Sequence, residues 1–268
     1  MLWKRVATAA VLIPLLVGTI LFGRGWPFAL LALAAALLCA VEFFRMFLHS
    51  SRDRWAGVAV TGLAYASGAL LPVPAAASAI LLCAGLAAFH FLSAEGTFEE
   101  RVRYAALSVL GVVYIGGFLS TWPRTLLLPG GEHWVLLGIL AVAAGDTFAY
   151  FVGRAIGKTP LAPRISPNKT VEGAIGGLAA SVLFASAYAA VFLPGVRTGF
   201  ILVATAILGA AGQGGDLFES MLKRAAGVKD SGTLLPGHGG MLDRADALIA
   251  AGPVLHLLAL VSLQAGGR

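Results

Sequence analysis

The feature that most limits what this chain can become is a repeated apolar run of about 20 residues, bounded each time by a short polar or charged segment. Crossing the hydrocarbon of a bilayer takes ~20 apolar residues of helix, because each residue rises ~1.5 Å. Runs of that length occur at roughly 6–23, 26–44, 55–72, 75–92, 104–122, 134–152, 173–193, 199–219 and 246–264. Within lipid, every backbone N–H and C=O must be bonded inside its own segment, so such runs are helices. The expectation is an all-α, polytopic integral membrane protein with about nine transmembrane helices. Composition agrees: 59% of residues are hydrophobic and 12% charged, against ~25% charged in a soluble domain. No long extramembrane segment interrupts the series. The chain reads as one integrated membrane domain, with scaffold helices over 1–125 and a region that carries the chemistry over 126–268.

A net charge of +6 and a pI near 9.7 would suit a nucleic-acid binder, but the distribution argues for topology instead. With nine spans and a cytoplasmic N-terminus, 15 of the 19 Lys and Arg residues fall in inner segments. Four fall outside: Arg24, Arg124, Arg197 and Arg268. That asymmetry is the positive-inside pattern of a multi-pass protein of the inner membrane. The same bases attract anionic lipid, and no nucleic-acid partner is implied. Lys4 and Arg5 ahead of an apolar run resemble a signal peptide. The run is long and lacks a clear cleavage site, so a retained first helix is expected. Cys39 and Cys83 lie inside spans without metal-ligand spacing and read as free thiols. Trp26, Trp122 and Trp134 sit at span ends, as interfacial anchors do. Glu42 and Arg45 read as an ordinary i,i+3 pair, and His90 and His256 as packing residues.

Charge is costly beside lipid, so where it gathers it needs a reason. From Asp216 to Asp246, 31 residues hold nine charged side chains: Asp216, Glu219, Lys223, Arg224, Lys229, Asp230, Asp243, Arg244 and Asp246. The acids suit a hard cation such as magnesium through oxygen. The bases suit phosphate oxygens. Between them, Pro236 to Gly240 is a turn without bulk, whose N–H groups can approach an anion closely. Carboxylates, bases and a glycine turn are what metal-assisted phosphoryl or nucleotidyl transfer requires. Asp216, Glu219 and Lys223 fall on one helical face. Two acids in a first turn also complement a helix dipole, which suits one of Asp243 and Asp246.

Two further stretches join this one. Asp146 lies within the sixth run, nearer its cytoplasmic end, with Tyr150 and Gly153 on the same face. An acid at that depth marks a functional site. In the next loop, Ser166-Pro167 reads as a helix N-cap followed by proline at the first helical position. Asn168, Lys169, Thr170 and Glu172 would then crowd a first turn, where free N–H groups favour phosphate.

Ser220, Lys223-Arg224, Lys229-Asp230, Gly232, Pro236, His238-Gly239-Gly240, Asp243-Arg244 and Asp246 resemble, at matching spacing, the signature of the phosphatidate cytidylyltransferases, the CDP-diacylglycerol synthases. Ala245 stands where that family usually has a larger apolar residue, a matter of packing. The segments Gly145–Arg154 and Ser166–Gly173 resemble the family too, and the second also resembles CTP-dependent polyprenol and phytol kinases. The resemblance implies transfer of CMP from CTP to phosphatidate in phospholipid biosynthesis, with a cytoplasmic site and pyrophosphate as the second product. It implies magnesium held by Asp216 and Asp243, with room for a second cation, and Asp146 as a further ligand or a supporting acid. Asp246 would orient Arg244 or a ligand. Lys169, Lys223, Arg224, Lys229 and Arg244 would hold phosphates, and the His238-Gly239-Gly240 turn the nucleotide phosphates or pyrophosphate. Asn168, Thr170, Glu172 and Asp230 belong to the same substrate-binding set, and a homodimer is expected. A CTP-dependent lipid kinase would instead release CDP. An ion-coupled transporter would place its polar groups at several depths, whereas here they gather at one face.

Overall fold

The computed structural model describes residues 14–23, 25–232 and 239–266. These are helical almost throughout. After a helical stretch over 14–22 come α1 (Trp26–Phe47), α2 (Ser51–Leu70), α3 (Val73–Phe89) and α4 (Phe98–Gly111). The last runs on through a wider π-helical stretch, Val112–Gly117, towards the short α5 (Thr121–Leu126). Then follow α6 (Gly131–Ile156), the strands β1 (Pro160–Ala162) and β2 (Ser166–Thr170), α7 (Val171–Phe192), α8 (Thr198–Ala225) and α9 (Leu242–Gly266). Among the described residues, seven helical segments are long and apolar enough to cross a membrane. Two of the nine expected spans are not among them. The span at 55–72 corresponds to α2, 20 residues long, whose charged first turn and Gly, Ser and Thr residues lower its hydropathy. Of the span at 6–23 only residues 14–23 are among the described ones, too few to count as a crossing helix.

The chain divides into two compact units: Met1–Arg124 with Ala225–Ala245, and Thr125–Arg224 with Asp246–Arg268. The segment between α8 and α9 therefore groups with the N-terminal helices.

In the first unit α2 packs against α1, α3 and the π-helical stretch. Small residues permit this. A Cβ on Gly57 would lie 2.8 Å from the Phe44 ring, and one on Gly116 would lie 2.6 Å from the Thr61 carbonyl oxygen. Lipid tails are as apolar as leucine, so close packing and hydrogen bonds, not burial of oil, hold such helices together. Several polar side chains are bonded across these contacts. Arg124 donates to the carbonyls of Gly68 and Leu71 at 2.6 and 2.8 Å, closing the C-terminus of α2. His90 pairs with Asp53 at 2.8 Å. Trp122 is buried at 4% exposure, so it packs inside the protein and is no interfacial anchor.

In the second unit α6 and α7 make the most extensive contact. A Cβ on Gly177 would lie 2.6 Å from the Gly145 carbonyl oxygen, and Ser181 donates to the Ala141 carbonyl at 2.7 Å. On α8, Gly209 lies against Ser181, and Gln213 donates to the Ala174 carbonyl at 2.9 Å. Trp134 is likewise buried, at 2% exposure. This small-residue seam sets the spacing of the helices that carry the charged groups.

Candidate active site

Six charged side chains of the second unit gather from α6, β2, α8 and α9. Two close approaches bring them together. A Cβ on Gly215 would lie 2.6 Å from both the Ala250 Cβ and the Asp246 carbonyl oxygen. The backbones of α8 and α9 therefore nearly touch beside Asp216. A Cβ on Gly157 would lie 2.6 Å from Thr170 Oγ1, which ties the end of α6 to β2. Lys169 Nζ then meets Asp216 Oδ2 at 2.7 Å, with 26% and 34% of the two side chains exposed. Asp146 lies within Coulombic range of both Asp216 and Lys169. Asp246 lies within range of Asp216, Glu219 and Asp146. Lys223 Nζ meets Glu219 Oε2 at 2.7 Å, and Glu219 is fully buried. A salt-bridged stripe on a water-facing surface helix would not look like this.

These six side chains comprise four carboxylates and two ammonium groups, so acid is in excess. That donor set fits a hard divalent cation. Among the described residues no three His, Cys, Asp or Glu side chains converge on a point where a metal ion would sit. Magnesium does not demand such a cage. It keeps several waters and takes one or two carboxylates together with substrate phosphates.

The loop before α7 differs from its expected form. Ser166–Thr170 is a strand, paired antiparallel with β1 through Pro160↔Thr170 and Ala162↔Ser166. Asn168 and Lys169 therefore lie in a hairpin and not in a helical first turn, and Ser166 is not the N-cap. The cap is Thr170, whose Oγ1 accepts from Gly173 N at 3.1 Å. Glu172 takes up the hairpin's other end. It accepts from Lys158 N at 3.1 Å, from Thr159 N at 3.2 Å and from Thr159 Oγ1 at 2.9 Å. Its carboxylate is thus committed to loop structure. Arg224 Nε donates to the Ile165 carbonyl at 3.2 Å, fastening the hairpin to the end of α8. Tyr150 hydroxyl accepts from Arg154 at 2.9 Å.

In the first unit the turn before α9 is built around two carboxylates. Asp243 Oδ2 accepts from Gly240 N at 2.9 Å, from Ser231 Oγ at 3.0 Å and from Ser231 N at 3.1 Å. Gly239 takes φ +79°, a left-handed turn in which glycine is favoured. The second carboxylate belongs to Glu42. Its Oε1 accepts from Met241 N at 2.9 Å, and its Oε2 from Leu242 N at 2.8 Å and Ser231 Oγ at 2.9 Å. Glu42 is 4% exposed. The interfacial pairing with Arg45 read from their i,i+3 spacing is replaced by a buried, long-range role. A carboxylate inside an apolar helix was the available signal, and the nearby Arg45 offered it too easy a partner. Lys229, Asp230 and Arg244 are exposed around this turn. His238 lies outside the described residues.

A family model described as the cytidylyltransferase family matches residues 3–262. Proteins named phosphatidate cytidylyltransferase are similar across much of the chain. That of Staphylococcus saprophyticus is 40% identical over 178 residues, covering 65% of this chain and 67% of its own. That of Staphylococcus aureus strain COL is 40% identical over 182 residues, covering 66% and 69%.

Proposed function

The chain belongs to the cytidylyltransferase family, and from that membership we propose that it transfers CMP from CTP to phosphatidate, giving CDP-diacylglycerol and pyrophosphate. The observation that carries the reading is the gathering of Asp146, Asp216 and Asp246, from otherwise apolar helices, with Lys169 of the β2 strand. Such a cluster is costly beside lipid unless it meets a charged ligand.

The attacking atom is a phosphate oxygen of phosphatidate, which is anionic near neutral pH. It needs no general base, and the reaction requires no Ser-His or Cys-His pair. The new P–O bond forms at the α-phosphorus of CTP while the bond to the β-phosphate oxygen breaks, and pyrophosphate departs with that electron pair. Repulsion between two polyanions is the main barrier to approach. Lys169 reduces it by turning from Asp216 to a phosphate, and Lys223 and Arg224 add positive charge. Asp216 is the first ligand for magnesium, with Asp146 and Asp246 beside it. When bound, the ion neutralises phosphate charge and polarises the reacting phosphoryl group. The Gly239–Arg244 turn binds phosphate oxygens of the nucleotide. Asp243 accepts from three groups of its own loop and acts first as the brace of that turn. The acyl chains of the lipid stay in the bilayer, and CTP enters from the cytoplasm, the side that the distribution of Lys and Arg favours.

The test is incubation of the purified chain with CTP labelled at the α-phosphorus, phosphatidate in mixed micelles, and magnesium. Label appearing in the lipid with stoichiometric pyrophosphate is the expected result, abolished by chelation and by Asp216→Asn. Release of labelled CDP with an unlabelled, newly phosphorylated lipid would make the chain a CTP-dependent lipid kinase instead.

A further inference from the structure

We propose that Glu42, on α1, is a positioning residue for nucleotide binding: its carboxylate holds the Gly239–Asp243 turn in its working shape. The proposal rests on the reading that this turn meets the phosphates of CTP. Its structural half, the clamp itself, stands apart from that reading.

All three groups on the Glu42 carboxylate are donors: Met241 N, Leu242 N and Ser231 Oγ. The two N–H groups belong to the turn and to the first residue of α9, where orphan donors need an acceptor. Usually a side chain two or three positions upstream supplies it. Here it comes from a helix about 200 residues earlier in the chain. The fit leaves no slack. A Cβ on Gly240 would lie 2.5 Å from Glu42 Oε2, and one on Gly232 would lie 2.7 Å from Oε1. Both glycines are therefore required for the carboxylate to enter the turn. Ser231 joins the two acids, standing 2.9 Å from Glu42 Oε2 and 3.0 Å from Asp243 Oδ2. It has one hydroxyl proton for two acceptors. A shift of Glu42 would thus be felt at Asp243, next to Arg244.

This geometry demands a carboxylate. Glutamine keeps the shape but has one acceptor oxygen. Whichever way its amide turns, its NH₂ faces the N–H of Met241 or of Leu242, and a buried donor is left opposed. Aspartate is one methylene short.

The experiment compares the full-length wild type, Glu42→Gln and the exposed control Glu99→Gln in detergent. Two quantities are read: amide hydrogen exchange at Met241 and Leu242, and the KM for CTP. For Glu42→Gln, exchange at these two amides rises while that of α2 holds, and KM for CTP increases by on the order of tenfold, the usual consequence of an unpaired buried donor. A merely unfolded fraction would lower kcat and leave KM unmoved. Unchanged KM, or unchanged exchange at 241 and 242, overturns the proposal. If Glu42→Gln does not fold, Ser231→Ala decides by the same two readings: a smaller shift in the same direction is expected, and no shift overturns the proposal. Absence of CDP-diacylglycerol in the wild type would sink the proposed function, while the exchange data would still report on the clamp.

Discussion

Replacing Lys169 by methionine separates the two ligands that the site is proposed to bind. The stem of the side chain stays and the charge goes. The Lys169 ammonium lies 2.7 Å from Asp216, where it competes with any cation for that carboxylate. Both side chains are partly exposed, at 26% and 34%, so solvent screens the pair and its worth is about 1 kcal/mol, not the several of a buried bridge. Removing the competitor frees Asp216 by that amount, which is roughly fivefold in a binding constant. Asp146 and Asp246, within Coulombic range of Asp216, push in the same direction once the base is gone. The magnesium concentration for half-maximal activity therefore falls about fivefold in Lys169→Met. The KM for CTP moves the other way, because a phosphate contact is lost. Initial rates of CDP-diacylglycerol formation over a grid of magnesium and CTP concentrations measure both. A magnesium requirement that is unchanged or higher would refute the reasoning, since Asp216 would then not be a cation ligand restrained by Lys169.

Two more expectations concern the frame around the site. Thr170→Ala removes the acceptor for Gly173 N at the start of α7 and should cost about 1 kcal/mol, read as a lower melting temperature, with Thr170→Ser close to wild type. Gly177→Leu drives a branched side chain into a gap where even a Cβ would lie 2.6 Å from the Gly145 carbonyl. It should abolish a monodisperse peak in size exclusion, while Gly214→Ala, where nothing lies within 4 Å of the added Cβ, should leave the peak unchanged.

What could be read in advance follows from the range of each interaction. The helices were legible because lipid imposes one rule on every residue of a span, and that rule shows as composition. The two spans that fall outside the apolar set have local reasons: a charged and hydroxyl-bearing α2, and a first run of which only residues 14–23 are described. Charge clustering was legible for the same reason, since Asp146, Asp216 and Asp246 have no cheap place in oil. Partners were not. Ser166-Pro167 carries the letters of a helix start, yet Thr170 four residues later carries them too, and antiparallel pairing with Pro160–Ala162 decided between the two. Glu42 shows the limit most plainly. Its sequence neighbours offered Arg45 within one turn, and a local pair is always available to a reader of sequence. The fold instead supplied two N–H groups and a hydroxyl from 189 to 200 residues away. Those donors are invisible in composition because backbone N–H groups are present at every non-proline residue. What distinguishes these is that Gly232 and Gly240 clear the space around them. In a membrane protein, then, an acid inside an apolar helix is better sought a partner among distant glycine-rich turns than among the bases of its own helix, because burial rewards the acceptor that completes a backbone over one that forms a pair water would screen.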